Sequence, residues 1–344
     1  MRTATNTEWV SSLEKYLAGR VPGISESLTV DKFNQGQSNP TFMLSSGEQH
    51  YVLRRKPPGE LLASAHAVDR EFRVLRALAD TAVPVPRALH LCKDNSVIGS
   101  MFYVMSYEPG RIFWDPALPG LPVAERATLL QQQIAVLAAM HDVDIDSVGL
   151  SDFGPRQGFF ARQVTRWVSQ YRAAETESIP AMEELINWLA KNLPDDRSQL
   201  SLIHGDYRLD NLIYHPQRPE VAAVLDWELS TLGHPLADLA YLCMCMRLPE
   251  AGAIVGLGDR DRAALGIPSE AELVQHYCQL RKLQHIDNWP FYLAFSFFRL
   301  ASICQGVYKR ARQGNASDSG ASERPNITPD LAALGLQAAK SPSP

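Results

Sequence analysis

Leu200-Ser-Leu-Ile-His204-Gly205-Asp206-Tyr207-Arg208-Leu209-Asp210-Asn211-Leu-Ile-Tyr214 is the stretch on which the reading of this 344-residue chain turns. An apolar run, Leu200–Ile203, delivers His-Gly-Asp, and an asparagine follows Asp206 five positions later. A second apolar run, Val221–Leu225, ends on Asp226, and the His-Pro-Gln-Arg-Pro-Glu before it is a turn sequence. Paired antiparallel around that turn, the two runs bring Asn211 and Asp226 to one open end, with Asp206 a few residues away. Two carboxylates and a carboxamide are thereby expected at one mouth.

Phosphoryl transfer needs such a set. One carboxylate orients the attacking hydroxyl and takes its proton, while an Asp and an Asn offer oxygen ligands to Mg²⁺. A single Asp in such a place would be read as a turn cap. The combined spacing, Asp-x₄-Asn and then an Asp at the end of the next strand, points to Asp206, Asn211 and Asp226 as such a set. Of the nearby histidines, His204 is open to reading as a general base or as a structural anchor, and His141 falls on the apolar stripe of Leu130, Ile134 and Leu137 as a hydrogen-bonded core residue.

Upstream, short β-type runs (Leu28–Phe33, Thr41–Leu44, Tyr51–Arg54, Met101–Met105) surround one strong helix near Ala67–Ala79. Between two of these runs, Asn34-Gln35-Gly36-Gln37-Ser38-Asn39 is a polar hairpin turn whose backbone N–H groups, at Gly36, Ser38 and Asn39, are placed to cover phosphates. In the helix, Glu71 shares a face with Val68, Leu75 and Leu78, so its carboxylate points inward and requires a cation. Arg54 and Lys56 share a strand face and are both candidates. Arg54 is favoured because it follows Val-Leu directly, and Arg55 is expected to face solvent. Further on, Phe102–Glu108 runs from strand into turn; Met105 is expected to line an adenine pocket, with free backbone groups of Ser106 and Glu108 receiving the base.

From about residue 122 onward helical patterns dominate, at Glu125–His141, Phe159–Arg172, Met182–Asn192 and after Pro235. The first twenty residues lack the basic start and apolar core of a signal peptide; Trp9, Val10, Leu13, Tyr16 and Leu17 instead follow helical spacing, with Thr7 as cap and Gly19 as stop. The net charge of −5 carries no footprint for nucleic acid, and no apolar run suffices to span a membrane. Five scattered cysteines fit reduced thiols, with Cys243 and Cys245 packing inside a helix. A soluble cytoplasmic protein is expected, and its oligomeric state is not readable from the sequence.

These residues resemble the aminoglycoside phosphotransferase (APH) family, and within it the kinase-like domains linked to acyl-CoA dehydrogenases and their stand-alone bacterial relatives. The resemblance is carried by Gly36-Gln37-Ser38-Asn39-Pro40-Thr41, Tyr51-Val-Leu-Arg54-Arg-Lys56, Asp69-Arg70-Glu71, and His204-Gly205-Asp206 through Asn211. Leu225-Asp226-Trp227-Glu228, Gly233-His234-Pro235-Leu-Ala-Asp238 and Phe298-Arg299-Leu300 continue it, and it covers about residues 28 to 315. It implies an α+β, protein-kinase-like two-lobe fold: a small antiparallel β-sheet lobe with one key helix over residues 1–108, and a larger, mainly helical lobe over 109–315. A polar tail, partly disordered, is expected over 316–344. The resemblance further implies ATP and Mg²⁺ as cofactors, Asp206 as base, Asn211 and Asp226 as metal ligands, and Glu71 paired with the phosphate-binding cation. Asp238 would brace the catalytic loop, and a hydroxylated small molecule would be the acceptor. Arg54 in place of the usual Lys, and His234 where dehydrogenase-linked relatives often have Asp, depart from the pattern.

Two other readings stay open: an aminoglycoside phosphotransferase, and a nucleotide-binding pseudo-kinase scaffold. Aminoglycosides are polycations and call for a carboxylate-rich pocket. Phe291–Arg312, the segment expected to line the acceptor cleft, holds Arg299, Lys309, Arg310 and Arg312 but no Asp or Glu. A neutral or anionic acceptor such as a hydroxyacyl-CoA is therefore expected, and the intact Asp206, Asn211, Asp226 set argues for an enzyme.

Overall fold

The computed structural model describes residues 3–4, 8–24, 27–33, 39–57, 67–195, 199–252, 254–313 and 325–341. The chain forms two compact units. The first comprises Met1–Ile112, Asp146–Leu150 and Asp210–Ser230; the second comprises Phe113–Ile145, Ser151–Leu209 and Thr231–Pro344. The hairpin carrying Asn211 and Asp226 therefore belongs with the N-terminal sheet, whereas Asp206 belongs with the helices.

In the first unit, β1 (Thr3–Ala4), β2 (Thr29–Lys32), β3 (Thr41–Ser46), β4 (Gln49–Arg55), β5 (Ala88–Cys92) and β6 (Phe102–Ser106) form an antiparallel sheet in the order β1-β2-β3-β4-β6-β5. Alternation along the strands divides its two faces. Leu44, Leu53, Phe102 and Val104 join Leu13 and Leu17 of α1 (Glu8–Leu17) in one buried cluster. The intervening Arg54 and Tyr103 stand directly opposite each other across β4 and β6. Their side chains reach Glu71 of α2 (Val68–Leu78). The helix expected near Ala67–Ala79 and the four expected strands are present. A further strand, β5, escapes alternation because its first four residues are all half-buried. Thr7, the expected cap of α1, lies outside the described residues.

In the second unit, α3 (Val123–His141), α4 (Phe159–Ala174) and α5 (Pro180–Lys191) precede β7 (Ser201–Ile203). The hairpin of β8 (Leu212–Tyr214) and β9 (Val221–Val224) belongs to the first unit. Returning to the second, β10 (Thr231–Gly233) pairs antiparallel with β7. Next come α6 (Leu236–Arg247), α7 (Glu270–Leu280), α8 (Trp289–Arg312) and α9 (Thr328–Ala339). Ten residues of α6 between Leu236 and Met246 are buried, Cys243 and Cys245 among them, as befits a helix enclosed on nearly every side. The long α8 packs against α4, α5, α6 and α9.

The expectation of a polar tail from residue 316 is corrected over 328–339. There Leu331, Ala332, Gly335 and Ala338 form a buried face of α9. Gly335 makes the approach possible, since a Cβ would stand 2.7 Å from a Leu185 methyl. Among the described residues no helix is long and apolar enough to cross a membrane.

Candidate functional site

Glu71 is 1% exposed and sits at the centre of a polar cluster in the first unit. Arg54 Nε stands 3.0 Å from its Oε2, and Arg54 Nη2 donates to Oε1 at 3.5 Å. The Tyr103 hydroxyl donates to Oε2 at 2.9 Å and Asn39 Nδ2 to Oε1 at 2.7 Å. Arg54 reaches on through Nη2 to Asp226 Oδ1 at 2.8 Å. Asn39 Nδ2 also reaches Glu228 Oε2 at 3.3 Å. Burial works against the Arg54 charge, but Glu71, Tyr103 and Asp226 outweigh it and hold the guanidinium above its ordinary value. Burial also pushes the Glu71 carboxyl up, against the pull of Arg54, Tyr103 and Asn39. Arg54 is accordingly a permanent cation shared by two carboxylates.

The hairpin supplies the second of those carboxylates. Leu212 pairs with Val224, and the Leu225 N–H donates to the Asn211 carbonyl at 2.9 Å. Asn211 is thereby tied to the residue before Asp226. Asp226 itself takes a left-handed backbone (φ 63°, ψ 57°) that ends the strand and starts the short 3₁₀ turn Trp227–Leu229. Its side chain is one-third exposed, while Asn211 is 9% exposed. A carboxylate and a carboxamide oxygen are hard donors of the kind Mg²⁺ takes together with phosphate oxygens and water. Among the described residues no group of three or more His, Cys, Asp and Glu forms a metal cage. The residues present fit a magnesium ion that arrives with its nucleotide.

The second unit holds Asp206 on a braced loop. Gly205 has φ +82°, a conformation that L side chains rarely adopt. That turn presents two successive amides to Asp238: His204 N–H to Oδ2 at 2.7 Å and Gly205 N–H to Oδ1 at 2.8 Å. Asp238 is the third residue of α6, so the helix start holds the loop. His141 Nε2 lies 3.4 Å from Asp238 Oδ2, and its Nδ1 lies 2.7 Å from the Tyr277 hydroxyl. Burial holds His141 below its ordinary 6.5 against the pull of Asp238. The network assigns a neutral ring that donates through Nε2 and accepts from Tyr277 through Nδ1. Burial alone would raise the Asp238 carboxyl, but His141 and His204 outweigh it and keep the group below its ordinary value. The Asp206 N–H donates to His204 Nδ1 at 3.2 Å, and Arg208 Nε lies 3.4 Å from Asp206 Oδ2. The imidazole of His204 therefore serves the loop's own backbone.

Several expectations are altered. Of the two candidate cations, Arg54 takes the pair with Glu71; no partner of the Lys56 ammonium is present among the described residues. Arg55 is half-buried rather than fully solvated: its guanidinium lies 5.7 Å from the Trp9 ring centroid of α1 and its Nε is buried. The Ser106 N–H is not free either, since it donates to the Arg87 carbonyl at 2.9 Å in the approach to β5. The Ser106 hydroxyl bonds Glu108 Oε1 at 2.5 Å. Met105 is 6% exposed on β6. Gly36 and Ser38 lie outside the described residues, and the Asn39 side chain turns inward to Glu71. Tyr103 and Glu228 were not anticipated. Tyr103 is detectable only through its register opposite Arg54, and Glu228 through its place two residues after Asp226.

Comparison with known proteins bears on the family and the fold. The family model described as phosphotransferase enzyme family (APH) matches residues 29–273. Acyl-CoA dehydrogenase family member 10 of Mus musculus is 49% identical over 325 residues, which is 94% of this chain and 30% of that protein. The chain spans less than half the length of the curated relatives it matches. A provisionally named aminoglycoside phosphotransferase of Ralstonia eutropha is 45% identical with a TM-score of 0.87, covering 96% of this chain and 98% of its own. A thermostable mutant of aminoglycoside phosphotransferase APH(4)-Ia, solved with AMP-PNP and hygromycin B, shares the fold at 15% identity. Its TM-score is 0.61, covering 96% of this chain and 100% of its own.

Proposed function

The chain belongs to the phosphotransferase enzyme family, with an α+β protein-kinase-like fold, and from that membership we propose that it transfers the γ-phosphoryl group of ATP to a hydroxyl of an anionic metabolite, a hydroxyacyl-CoA first among them. The observation that carries this reading is Asp226 bonded to the permanent Arg54 cation, with Asn211 tied through its carbonyl to Leu225, the residue before Asp226. Asn211 and Asp226 would hold Mg²⁺, which when bound neutralises phosphate charge. Arg54, kept in place by Glu71, Tyr103 and Asn39, stabilises the negative charge of the phosphates, with the Lys56 ammonium as a further cation. Asp206 orients the acceptor hydroxyl and takes its proton. The Asp238 brace keeps Asp206 from drifting, which matters because small displacements of a reacting group are expensive.

The acceptor assignment draws on two supports. Curated relatives at 49% and 46% identity are named for acyl-CoA chemistry. In addition, Phe291–Arg312 of α8 carries no carboxylate, and its Arg299 is half-buried. The reading is tested by ATP consumption and product mass with 4-hydroxyacyl-CoAs, kanamycin-type amines, choline-like alcohols and sugars. Turnover is expected with the acyl-CoAs. Efficient phosphorylation of the amines alone would overturn the acceptor, and absence of Mg²⁺-dependent ATP binding would overturn the kinase assignment.

A further inference from the structure

Four cations lie on the basic stretch of α8, and the structure separates them. Lys309 Nζ donates to the Ala173 carbonyl at 2.8 Å, Arg312 lies over the Tyr308 ring on the exposed end, and Arg310 is exposed. Arg299 differs. It is half-buried, and its guanidinium carbon stands 5.6 Å from the ring centroid of Trp167 on α4 and 5.2 Å from that of Tyr241 on α6. Two aromatic faces hold the cation in place by the ring quadrupole. They accept none of its N–H bonds through oxygen, and no carboxylate or carbonyl among the described residues accepts one. A planar guanidinium so flanked is fixed in direction while its donor fork remains unspent, which is the arrangement that suits bidentate recognition of an oxyanion.

The clamp also lies in the electrical neighbourhood of the proposed base. Tyr241 is buried, which raises its hydroxyl foremost. The charge of Asp206 raises it further, while Arg299 and Arg208 pull it down. Arg208 in turn forms an ion pair with Asp206. Tyr241 stands one turn along α6 from Asp238, so Arg299 packs on the same helix that braces the loop carrying Asp206.

Resting on the kinase reading above, we infer that Arg299 is a specificity residue that binds an oxyanion of the acceptor, a carboxylate or a phosphate, through the edge of its guanidinium. Calorimetry in the presence of AMP-PNP tests this without turnover, using three probes with the same hydroxyl: free 4-hydroxyvalerate, its CoA thioester and its uncharged N-acetylcysteamine thioester. The wild-type chain should bind at least one charged probe roughly 10- to 100-fold more tightly than the uncharged one, the worth of a charge-assisted hydrogen-bonded pair. Preference for the free acid identifies a carboxylate, and preference for the CoA thioester identifies its phosphates. Arg299→Gln should remove that preference, and Arg310→Gln on the exposed face of α8 should keep it. Should Arg299→Gln fail to melt cooperatively, Arg299→Lys retains charge and ring contact but loses the fork, and should lose most of the preference. A preserved preference in either Arg299 variant overturns the inference, as does equal binding of all three probes by wild type, or a loss confined to AMP-PNP. Product mass with ATP, measured separately on wild type, shows whether the kinase reading itself has failed.

Discussion

Glu71 in the first unit and Asp238 in the second are each 1% exposed, yet they are stabilised by different means. Glu71 faces a formal charge, Arg54, with a tyrosine hydroxyl and an asparagine amide filling its remaining lone pairs. Asp238 faces two main-chain amides and a neutral imidazole. The first arrangement shares its cation with Asp226, so it can respond to whatever binds Asp226. The second is wholly internal and ties a loop to a helix start. Their carboxyls accordingly move in opposite directions, Glu71 up and Asp238 down. Burial raises both, but Glu71 also feels the like charge of Asp226, whereas Asp238 is drawn down by His141 and by His204 with its backbone amide.

The sharpest contrast sets Asp206 of the second unit against Asp226 of the first. Asp206→Asn should leave Mg²⁺-ATP binding nearly intact and lower turnover by roughly 10²- to 10⁴-fold, the usual worth of a positioned base. Asp226→Ala should instead remove the Mg²⁺ dependence of nucleotide binding, because the metal would be left with mostly neutral protein ligands. Calorimetry with steady-state rates reads both, and an Asp206→Asn chain with wild-type turnover would show the base to lie elsewhere.

Stability separates the two buried carboxylates next. Glu71→Gln leaves Arg54 buried with only Asp226 as counter-charge and should cost about 3 kcal/mol. Asp238→Asn keeps one acceptor oxygen for the loop amides and faces a neutral ring, so about 1–2 kcal/mol is expected. Denaturant titration of the two variants checks the order. A larger loss at Asp238 would mean that the loop brace, not the ion pair, is the more expensive to break.

The smallest effect is in pH. The His141 ring is held below 6.5 in the fold, so the unfolded chain takes up a proton that the native chain refuses as pH falls past 6.5. Stability in this region therefore falls below pH 6.5, by at most about 1.4 kcal/mol per pH unit for one proton. Asp238 adds a loss of the same sign only below its ordinary 3.8, as pH drops through its lowered folded value. Glu71 has the opposite sign: its raised carboxyl favours the fold at acid pH, and that contribution is lost as pH rises above 4.5. Melting temperatures at pH 7 and pH 5 should diverge less in His141→Gln than in wild type; an unchanged divergence would remove His141 from the account.

Much of this was legible in advance because it depends on neighbours in sequence. The hairpin that aligns Asn211 with Asp226 follows from two apolar runs and a proline-rich turn, and the inward Glu71 follows from the 3.6-residue period of α2. The features that escaped depend on pairing across the chain. Tyr103 joins Glu71 only because the β4–β6 register sets it opposite Arg54. The Ser106 amide is used because the chain leading into β5 lies against it, and β5 carries no alternation to announce itself.

The sequence by itself determined the family and most of the elements and singled out Asp206, Asn211 and Asp226 as candidates, since motif spacing and hydrophobic period are local and survive without coordinates. Only the tertiary structure decided that Arg54 and not Lys56 meets Glu71, that Arg55 lies over Trp9, that residues 328–339 pack as a helix, and that Arg299 stands between two rings. Each of those is a choice among partners far apart in sequence. Burial and direction settle it: a charge removed from water is held by whichever group the fold brings within about 3 Å, or against a ring face.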